Sequence, residues 1–326
     1  MKKILVLGAS GQLGSELIDK YLADPNNIVY GMVRRSATGN FNNIQHNFKN
    51  DRFNLVRGDI TDSTSLNNLL KEVQPDLIIN TAAQSHVHIS FEQPILTSKV
   101  TGLGVLYLLE AIRQFSPHSR LIQMSTSEQW GNMKAPQNEK TPFAPESPYG
   151  VAKLFAHEMC KIYRKSYGLN ICCAICNNFE GARRGQEFVT QKIATAAVKI
   201  HLGKQDFLKL GNIKTRTDWS SVHEIADGII KLANSDYREE FVFGSGRTNT
   251  IEEFAKLAFN IFNLDYQEYI QIDDEFKRPS EVYELKADNR KAKKLLGWHP
   301  ITTLKEIVQE MVDGALNREF GISDDQ

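Results

Sequence analysis

The chain has 326 residues, 39 basic and 39 acidic side chains, 41% apolar residues and a formal net charge of zero. That length accommodates a nucleotide-sized domain plus a smaller one, and the balanced charge argues against a nucleic-acid binder, which needs a basic stripe to neutralise phosphates. The opening Met1-Lys2-Lys3-Ile4-Leu5-Val6-Leu7 is cut off by Gly8, Ser10, Gly11 and Gln12 well short of a signal-peptide core, and no segment approaches the roughly 18 apolar residues of a membrane span; the expectation is a cytoplasmic protein with no membrane and no nucleic-acid partner.

Short apolar runs alternate with helical patterns through the first half, the rhythm of a parallel sheet covered by crossover helices. Strands are expected at 3–7, 28–33, 53–57, 77–81, 120–125 and 170–177. Leu103, Leu106, Tyr107, Glu110 and Ala111 belong to one long helix, and Pro148 opens another that runs to Tyr167 and stops at Gly168. Six strands in this order predict an α/β fold with a doubly wound parallel sheet. Beyond Asn178 the rhythm changes, with a helix over 188–202, a strand near 207–210, an α and β pair near 222–233 and 241–244, and helices over 251–262, 289–296 and 304–316. The predicted organisation is a dinucleotide-binding domain over 1–178, to which 219–248 returns, and a smaller C-terminal α/β substrate domain from 179–218 and 249–326.

Cys173-Ala174-Ile175-Cys176 has the spacing of a metal or redox pair, but in a buried strand residues three apart point to opposite faces about 10 Å apart. A disulfide tolerates a Cα separation of about 7 Å. The four cysteines are therefore read as buried thiols, and no metal site is expected. His86 and His88, near the end of the fourth strand and without metal-like partners, are read as structural.

Directly after the first strand comes Gly8-Ala9-Ser10-Gly11-Gln12-Leu13-Gly14 and then a helix. Glycines there let the backbone approach a pyrophosphate seated on the helix N-terminus, and the strand before and helix after make this a dinucleotide site. NAD sites place an acidic residue at the end of the second strand to bind the ribose hydroxyls. Here the strand ends in Val33-Arg34-Arg35-Ser36 with no acid until Asp51, which suits a 2′-phosphate and hence NADP. Asp59, after the third strand, is placed to meet the adenine amino group.

Tyr149 and Lys153 lie four residues apart at the start of the helix opened by Pro148, where an ammonium can lower the phenol's pKa. Chance supplies such a spacing in a chain of this size, so context must carry it. The pair follows a strand ending Met124-Ser125-Thr126-Ser127-Glu128, and the carboxyl ends of strands in an open sheet are where substrates bind.

This combination resembles the extended short-chain dehydrogenase/reductase superfamily and, within it, the GDP-mannose 4,6-dehydratase family. The carrying stretches are Gly11-Gln12, Val33-Arg34-Arg35-Ser36, Ala83-Gln84-Ser85-His86-Val87, Ser125-Thr126-Ser127-Glu128, Thr141-Pro142-Phe143, Ser147-Pro148-Tyr149-Gly150, Arg183-Arg184-Gly185, Phe188-Val189-Thr190, Leu210-Gly211-Asn212, Asp218-Trp219 and Arg278-Pro279-Ser280-Glu281. The resemblance implies a Rossmann fold of the extended type and an internal redox dehydration of a nucleotide sugar. Tyr149 takes the C4 hydroxyl proton while hydride leaves C4 for NADP⁺. Glu128 then removes the acidified C5 proton and donates it to the departing C6 hydroxyl, and hydride returns to C6. Thr126 bonds the C4 oxygen and Lys153 holds the nicotinamide ribose. Cofactor contacts are implied for Gly8, Ser10, Gly11, Gln12, Leu13, Gly14, Arg34, Arg35, Asp59, Ile60, Ala82, Ala83 and Ser85, with Tyr149 and Lys153. Sugar-nucleotide contacts are implied for Gln84, Ser85, Glu128, Asn178, Val189, Lys192, Leu210, Gly211, Arg216, Arg278 and Glu281. A homodimer or homotetramer is implied as well, with the loop over 35–43 reaching towards a neighbour's cofactor site.

The chain departs from the family pattern in two places. Asn178-Phe179-Glu180 carries phenylalanine where the family has a cofactor-touching histidine, and Arg216-Thr217-Asp218-Trp219 carries threonine where an arginine clamps the substrate diphosphate; of that charge-assisted clamp Arg278 remains, and Arg216 is placed to swing across and compensate. The segment between Leu264 and Phe276 is also short for the family. A related dehydratase, epimerase or reductase acting on another hexose, heptose or N-acetylhexosamine, and a non-catalytic NADP sensor, are the competing readings; a sensor has no need of Glu128 or Tyr149.

Overall fold

Strands that bury both faces read as unbroken apolar runs, and six such runs form Lys2–Leu7 (β1), Asn27–Val33 (β2), Phe53–Arg57 (β3), Leu77–Asn80 (β4), Arg120–Thr126 (β5) and Ile171–Cys176 (β6) in the computed structural model, which describes residues 1–37, 39, 41–276 and 280–321. After these come Asn178–Glu180 (β7), Leu208–Leu210 (β8), Arg216–Ser221 (β9), Glu240–Phe243 (β10), Thr248–Thr250 (β11), Ile270–Ile272 (β12) and Glu284–Leu285 (β13). The main sheet is parallel throughout in the order β3-β2-β1-β4-β5-β6-β10. The chain reverses direction across the sheet between β1 and β4, which opens a crevice at their carboxyl ends.

Two apolar layers sandwich this sheet. On one face the helices Gln12–Leu22 and Val222–Ala233 bury Leu13, Leu17, Ile225 and Ile229 with Phe241, Phe243 and Trp298; on the other, Ser63–Val73, Gly104–Phe115 and Pro148–Tyr167 bury Leu66, Leu70, Leu108, Ile112 and Ala156. A third cluster joins the helices Val189–His201, Ile251–Asn260 and Leu304–Phe320 through Ile193, Ala197, Phe254, Phe259, Ile307 and Met311.

The helix Pro148–Tyr167 has the ends its sequence requires. The Ser147 side chain accepts from the Gly150 amide at 3.0 Å, Pro148 occupies the first turn, and Gly168 closes the helix in the left-handed region at φ 69°. The four cysteines are buried free thiols.

One expectation is corrected, that no segment approaches the apolar length of a membrane span. The long helix containing Leu103 to Ala111 belongs to a helical run, Pro94–Phe115, which Pro94 opens and in which a π-helical segment, Ser98–Leu103, leads into Gly104–Phe115. At 22 residues it is long and apolar enough, by length and composition alone, to cross a membrane. Half of its apolar window is buried, and Val105, Leu108, Leu109 and Ile112 pack into the core under the sheet.

The segment 216–221 gives no strand signal, since Arg-Thr-Asp-Trp-Ser-Ser holds a single large apolar residue. It nonetheless forms β9, the centre of a small sheet with β11, β13 and β7. Asp218 explains why. Its buried carboxylate accepts the Ser245 amide at 2.8 Å and hydroxyl at 2.6 Å, the Gly246 amide at 2.8 Å and the Ala287 amide at 3.0 Å. One side chain thus gathers the backbone that follows β10 and the backbone that follows β13. Asp218→Ala leaves these buried donors unpaired and is expected to lower the free energy of unfolding by about 2–4 kcal/mol, read from the urea midpoint.

Candidate active site

The crevice at the carboxyl end of β1 is shaped by glycine. Gly8 has φ +77°, and a Cβ on Gly14 would fall 2.3 Å from the Gly8 carbonyl oxygen, so the loop and the first turn of the helix Gln12–Leu22 lie in direct backbone contact. Gly11 caps that helix without a side-chain hydrogen bond. Its first amides therefore have no side-chain acceptor competing for them, which is the donor set a pyrophosphate takes. Asn43 closes the loop's far side through a 3.0 Å bond to the Ser10 carbonyl, and Gln12 donates to the Phe179 carbonyl at 3.1 Å. Phe179 itself packs against the core beside the helix.

Arg34 and Arg35 follow β2 as exposed side chains, and neither forms an ion pair among the described residues. Asp59 turns one oxygen on its own loop, accepting the Thr61 amide at 2.9 Å and hydroxyl at 2.8 Å, and Ile60 is buried beneath it. After β4, the Ala82 amide donates to Asn80, and Gln84 bends back onto the His86 backbone at 2.7 and 3.2 Å. Ser85 lies within this bend. His86 caps the helix Val87–Glu92 and reaches the Glu187 carbonyl, while His88 pairs with Glu92 at 3.2 Å.

Thr126, Glu128, Tyr149 and Lys153 meet where β5 ends against the start of the helix Pro148–Tyr167. The Thr126 hydroxyl accepts from the Glu128 amide at 3.3 Å, folding the chain into the 3₁₀ turn Ser127–Gln129, and its side chain acts on the Tyr149 phenol. Tyr149 is 8% exposed, Glu128 7% and Lys153 5%. Burial pushes the Tyr149 phenol well above its ordinary value; the Thr126 side chain opposes that, the Glu128 charge adds to it, and the Arg184 guanidinium opposes it. Burial lowers Lys153 from 10.5 to about 8.

Lys153 points along the helix towards the strand end as well as towards Tyr149. Its ammonium donates to the Met124 carbonyl at 2.8 Å, 5.9 Å from the centre of the Tyr149 ring. A second cation, Arg184, also favours the phenolate, and sequence reasoning gave it no role. Arg184 is pinned between the buried Glu180 carboxylate, 3.1 Å away, and the Phe188 ring, whose centre lies 3.6 Å from the guanidinium carbon. Glu180 also accepts the Thr190 hydroxyl at 2.8 Å. The only signal in the sequence was the Arg-Arg-Gly triplet between two segments of different rhythm.

The other residues expected to line the sugar nucleotide come from separate elements of the C-terminal part. Asn178 lies in β7 opposite Trp219, Val189 and Lys192 in the first turn of the helix Val189–His201, Leu210 at the end of β8 with Gly211 following it, and Glu281 just before β13; Arg278 lies outside the described residues. Arg216 is held on Thr248, donating to its hydroxyl at 3.2 Å and its carbonyl at 2.7 Å, with Glu284 at 3.7 Å. Neighbours in a strand face opposite sides, so the guanidinium sits across β9 from Thr217 and has not swung to that side.

A doubly wound parallel sheet with a tyrosine and lysine heading a helix over its carboxyl edge defines an enzyme of the extended short-chain dehydrogenase/reductase type. A family model described as GDP-mannose 4,6 dehydratase matches residues 5–311. A GDP-mannose 4,6-dehydratase of Yersinia enterocolitica is 38% identical, with 98% of this chain and 95% of that protein covered; GDP-mannose 4,6 dehydratase 1 of Arabidopsis thaliana is 37% identical (96% and 89%), and the Homo sapiens GDP-mannose 4,6 dehydratase 36% (94% and 90%). The chain belongs to the GDP-mannose 4,6-dehydratase family. Among solved structures, dTDP-glucose 4,6-dehydratase from Bacillus anthracis in complex with NAD superposes with a TM-score of 0.86 at 24% identity, covering 99% of each chain, and RMD from Pseudomonas aeruginosa complexed with NADPH with 0.81 at 22%, covering 98% and 100%. These show the shared fold.

The depressed lysine gives a test of the site as built. Between about 8 and 10.5 the unfolded chain holds a proton on Lys153 that the folded chain has released, so stability rises with pH across that interval. The unfolding free energy of the wild type minus that of Lys153→Met is expected to increase over this window, followed by urea denaturation at stepped pH.

Proposed function

We propose that this chain is an NADP-dependent GDP-mannose 4,6-dehydratase, producing the 4-keto-6-deoxy sugar nucleotide with loss of water. The observation that carries the reading is a carboxyl group, Glu128, buried in the same turn as Thr126 and close enough to Tyr149 for its charge to act on the phenol. Oxidation or epimerisation at C4 needs the tyrosine; elimination also needs a base for the neighbouring carbon.

The glycine loop and the first turn of the helix Gln12–Leu22 would hold the pyrophosphate, Arg34 and Arg35 the 2′-phosphate, and Lys153 the ribose. A bound nicotinamide supplies a site that takes a hydride and gives it back. Tyr149 accepts the C4 hydroxyl proton, with Thr126 hydrogen-bonded to the same oxygen and the Arg184 charge favouring the phenolate. Once C4 is a ketone, the C5 proton is acidic and Glu128 removes it. The carboxyl then donates that proton to the C6 hydroxyl, which departs as water, and the resulting enone is reduced by hydride returning to C6 and a proton delivered to C5, the equivalent of the one Tyr149 took from the C4 hydroxyl, which restores the phenolate and closes the balance. One group serving as base and then acid must sit within hydrogen-bond reach of both carbons' substituents, which a short turn at a strand end allows.

The reading includes a homodimer or homotetramer. Val151, Phe155 and Ile162 leave an apolar stripe exposed on the helix Pro148–Tyr167, and Leu103 is exposed on the segment packed beside it, an arrangement suited to a matching surface on a second copy.

A second reading, a dehydratase of the same chemistry acting on a different nucleotide sugar, is favoured by Thr217 together with the engagement of Arg216 on Thr248. Incubating the enzyme with a panel of nucleotide sugars and NADP⁺, with no added reductant, and assaying the 4-keto-6-deoxy product separates the two; turnover of GDP-mannose no better than that of the others overturns the first.

Glu128→Gln is expected to retain oxidation at C4 while water loss falls by about 100-fold or more, seen as absence of solvent deuterium at C5 and of 4-keto-6-deoxy product. Replacing Arg34 and Arg35 together with alanine is expected to weaken NADP(H) by about 100-fold, as loss of charge-assisted phosphate contacts does, with NAD(H) little changed in calorimetry.

A further inference from the structure

We propose that His157 is a positioning residue for the catalytic turn, acting through Ser125 and Gln129 on the backbone that presents Thr126 and Glu128. The proposal rests on the dehydratase reading for its kinetic consequence and on geometry alone for its structural one.

His157 lies one turn beyond Lys153 on the same buried face of the helix Pro148–Tyr167 and is 1% exposed. Its Nδ1 is 3.0 Å from the Ser125 hydroxyl. That hydroxyl accepts one hydrogen of the Gln129 amide at 2.8 Å, and the same nitrogen gives its other hydrogen to the Thr126 carbonyl at 2.8 Å. Both amide hydrogens are then used, so the serine's own proton remains for the imidazole. This assigns Nδ1 as acceptor and leaves the ring proton on Nε2. The buried thiol of Cys173 acts on the ring's protonation, and that of Cys160 acts on Cys173. Phe143 meets the ring edge-on at a centroid distance of 5.1 Å.

The consequence is a continuous buried chain, His157 to Ser125 to Gln129 to the Thr126 carbonyl, ending at the residue whose side chain acts on the Tyr149 phenol. The turn Ser127–Gln129 is otherwise fixed by the bond from the Glu128 amide to Thr126 and by those from the Trp130 amide to the Ser127 carbonyl and the Ala144 amide to the Gln129 carbonyl. Removing the acceptor at His157 frees the serine proton in a site without water access and lets Gln129 choose between partners. A shift of about 1 Å in such a turn is enough to cost on the order of 100-fold in rate.

The test compares wild type, His157→Phe, His157→Asn and Ser125→Ala. Phenylalanine keeps a flat ring beside Phe143 and removes both nitrogens; asparagine places an amide oxygen close to where Nδ1 accepts. Expected for His157→Phe and Ser125→Ala is a kcat for GDP-mannose lowered about 10–100-fold, with KM and NADP⁺ affinity within about twofold, and faster amide hydrogen exchange confined to residues 125–129. His157→Asn is expected to recover most of both. Wild-type kcat and exchange in His157→Phe overturn the proposal, as does a loss spread over the whole helix that asparagine does not repair. If the wild type turns over no nucleotide sugar, the dehydratase reading fails, and exchange at the 125–129 turn decides the positioning role by itself.

Discussion

Bringing Tyr149 and Lys153 together out of water sets the main constraint on this molecule, because both groups resist ionisation when buried. The opposing forces are local and specific. Thr126 and the Arg184 charge favour the phenolate, the Met124 carbonyl takes the ammonium, and the strand end is stiffened by the hydrogen bonds that run from Gln129 through Ser125 to His157. The site is therefore one small volume in which burial and charge are balanced against each other, and the doubly wound sheet supplies the rigid edge that keeps the balance fixed.

Arg184 adds a second layer to that balance. A guanidinium stacked on Phe188 and paired with the buried Glu180 is costly to desolvate, yet it is held by elements from the C-terminal half while its charge is felt in the sheet-based half. The phenol's proton affinity thus depends on how the segment 180–190 is docked, and the Glu187 carbonyl is tied in turn to His86 beside β4. The electrostatics of the reaction centre and the packing of the substrate region are one system.

Much of this was legible in the sequence, for a simple reason. Strands of the parallel core are apolar on both faces and are separated by helices with clear stops, so β1 to β6 and the helix from Pro148 to Tyr167 can be placed from residue pattern alone. The strand β9 cannot, because what holds it is a carboxylate satisfied by distant backbone amides, and no local pattern encodes a partner that arrives 27 to 69 residues later. The same limit applies to Arg184, whose partners Glu180 and Phe188 are local but whose place beside Tyr149 is set by the docking of two distant segments.

Asp218 also makes three separate stretches of chain one mechanical unit. Because a single buried carboxylate binds the segments leaving β10 and β13 as well as belonging to β9, displacing any one of the three leaves backbone amides without the acceptor they share.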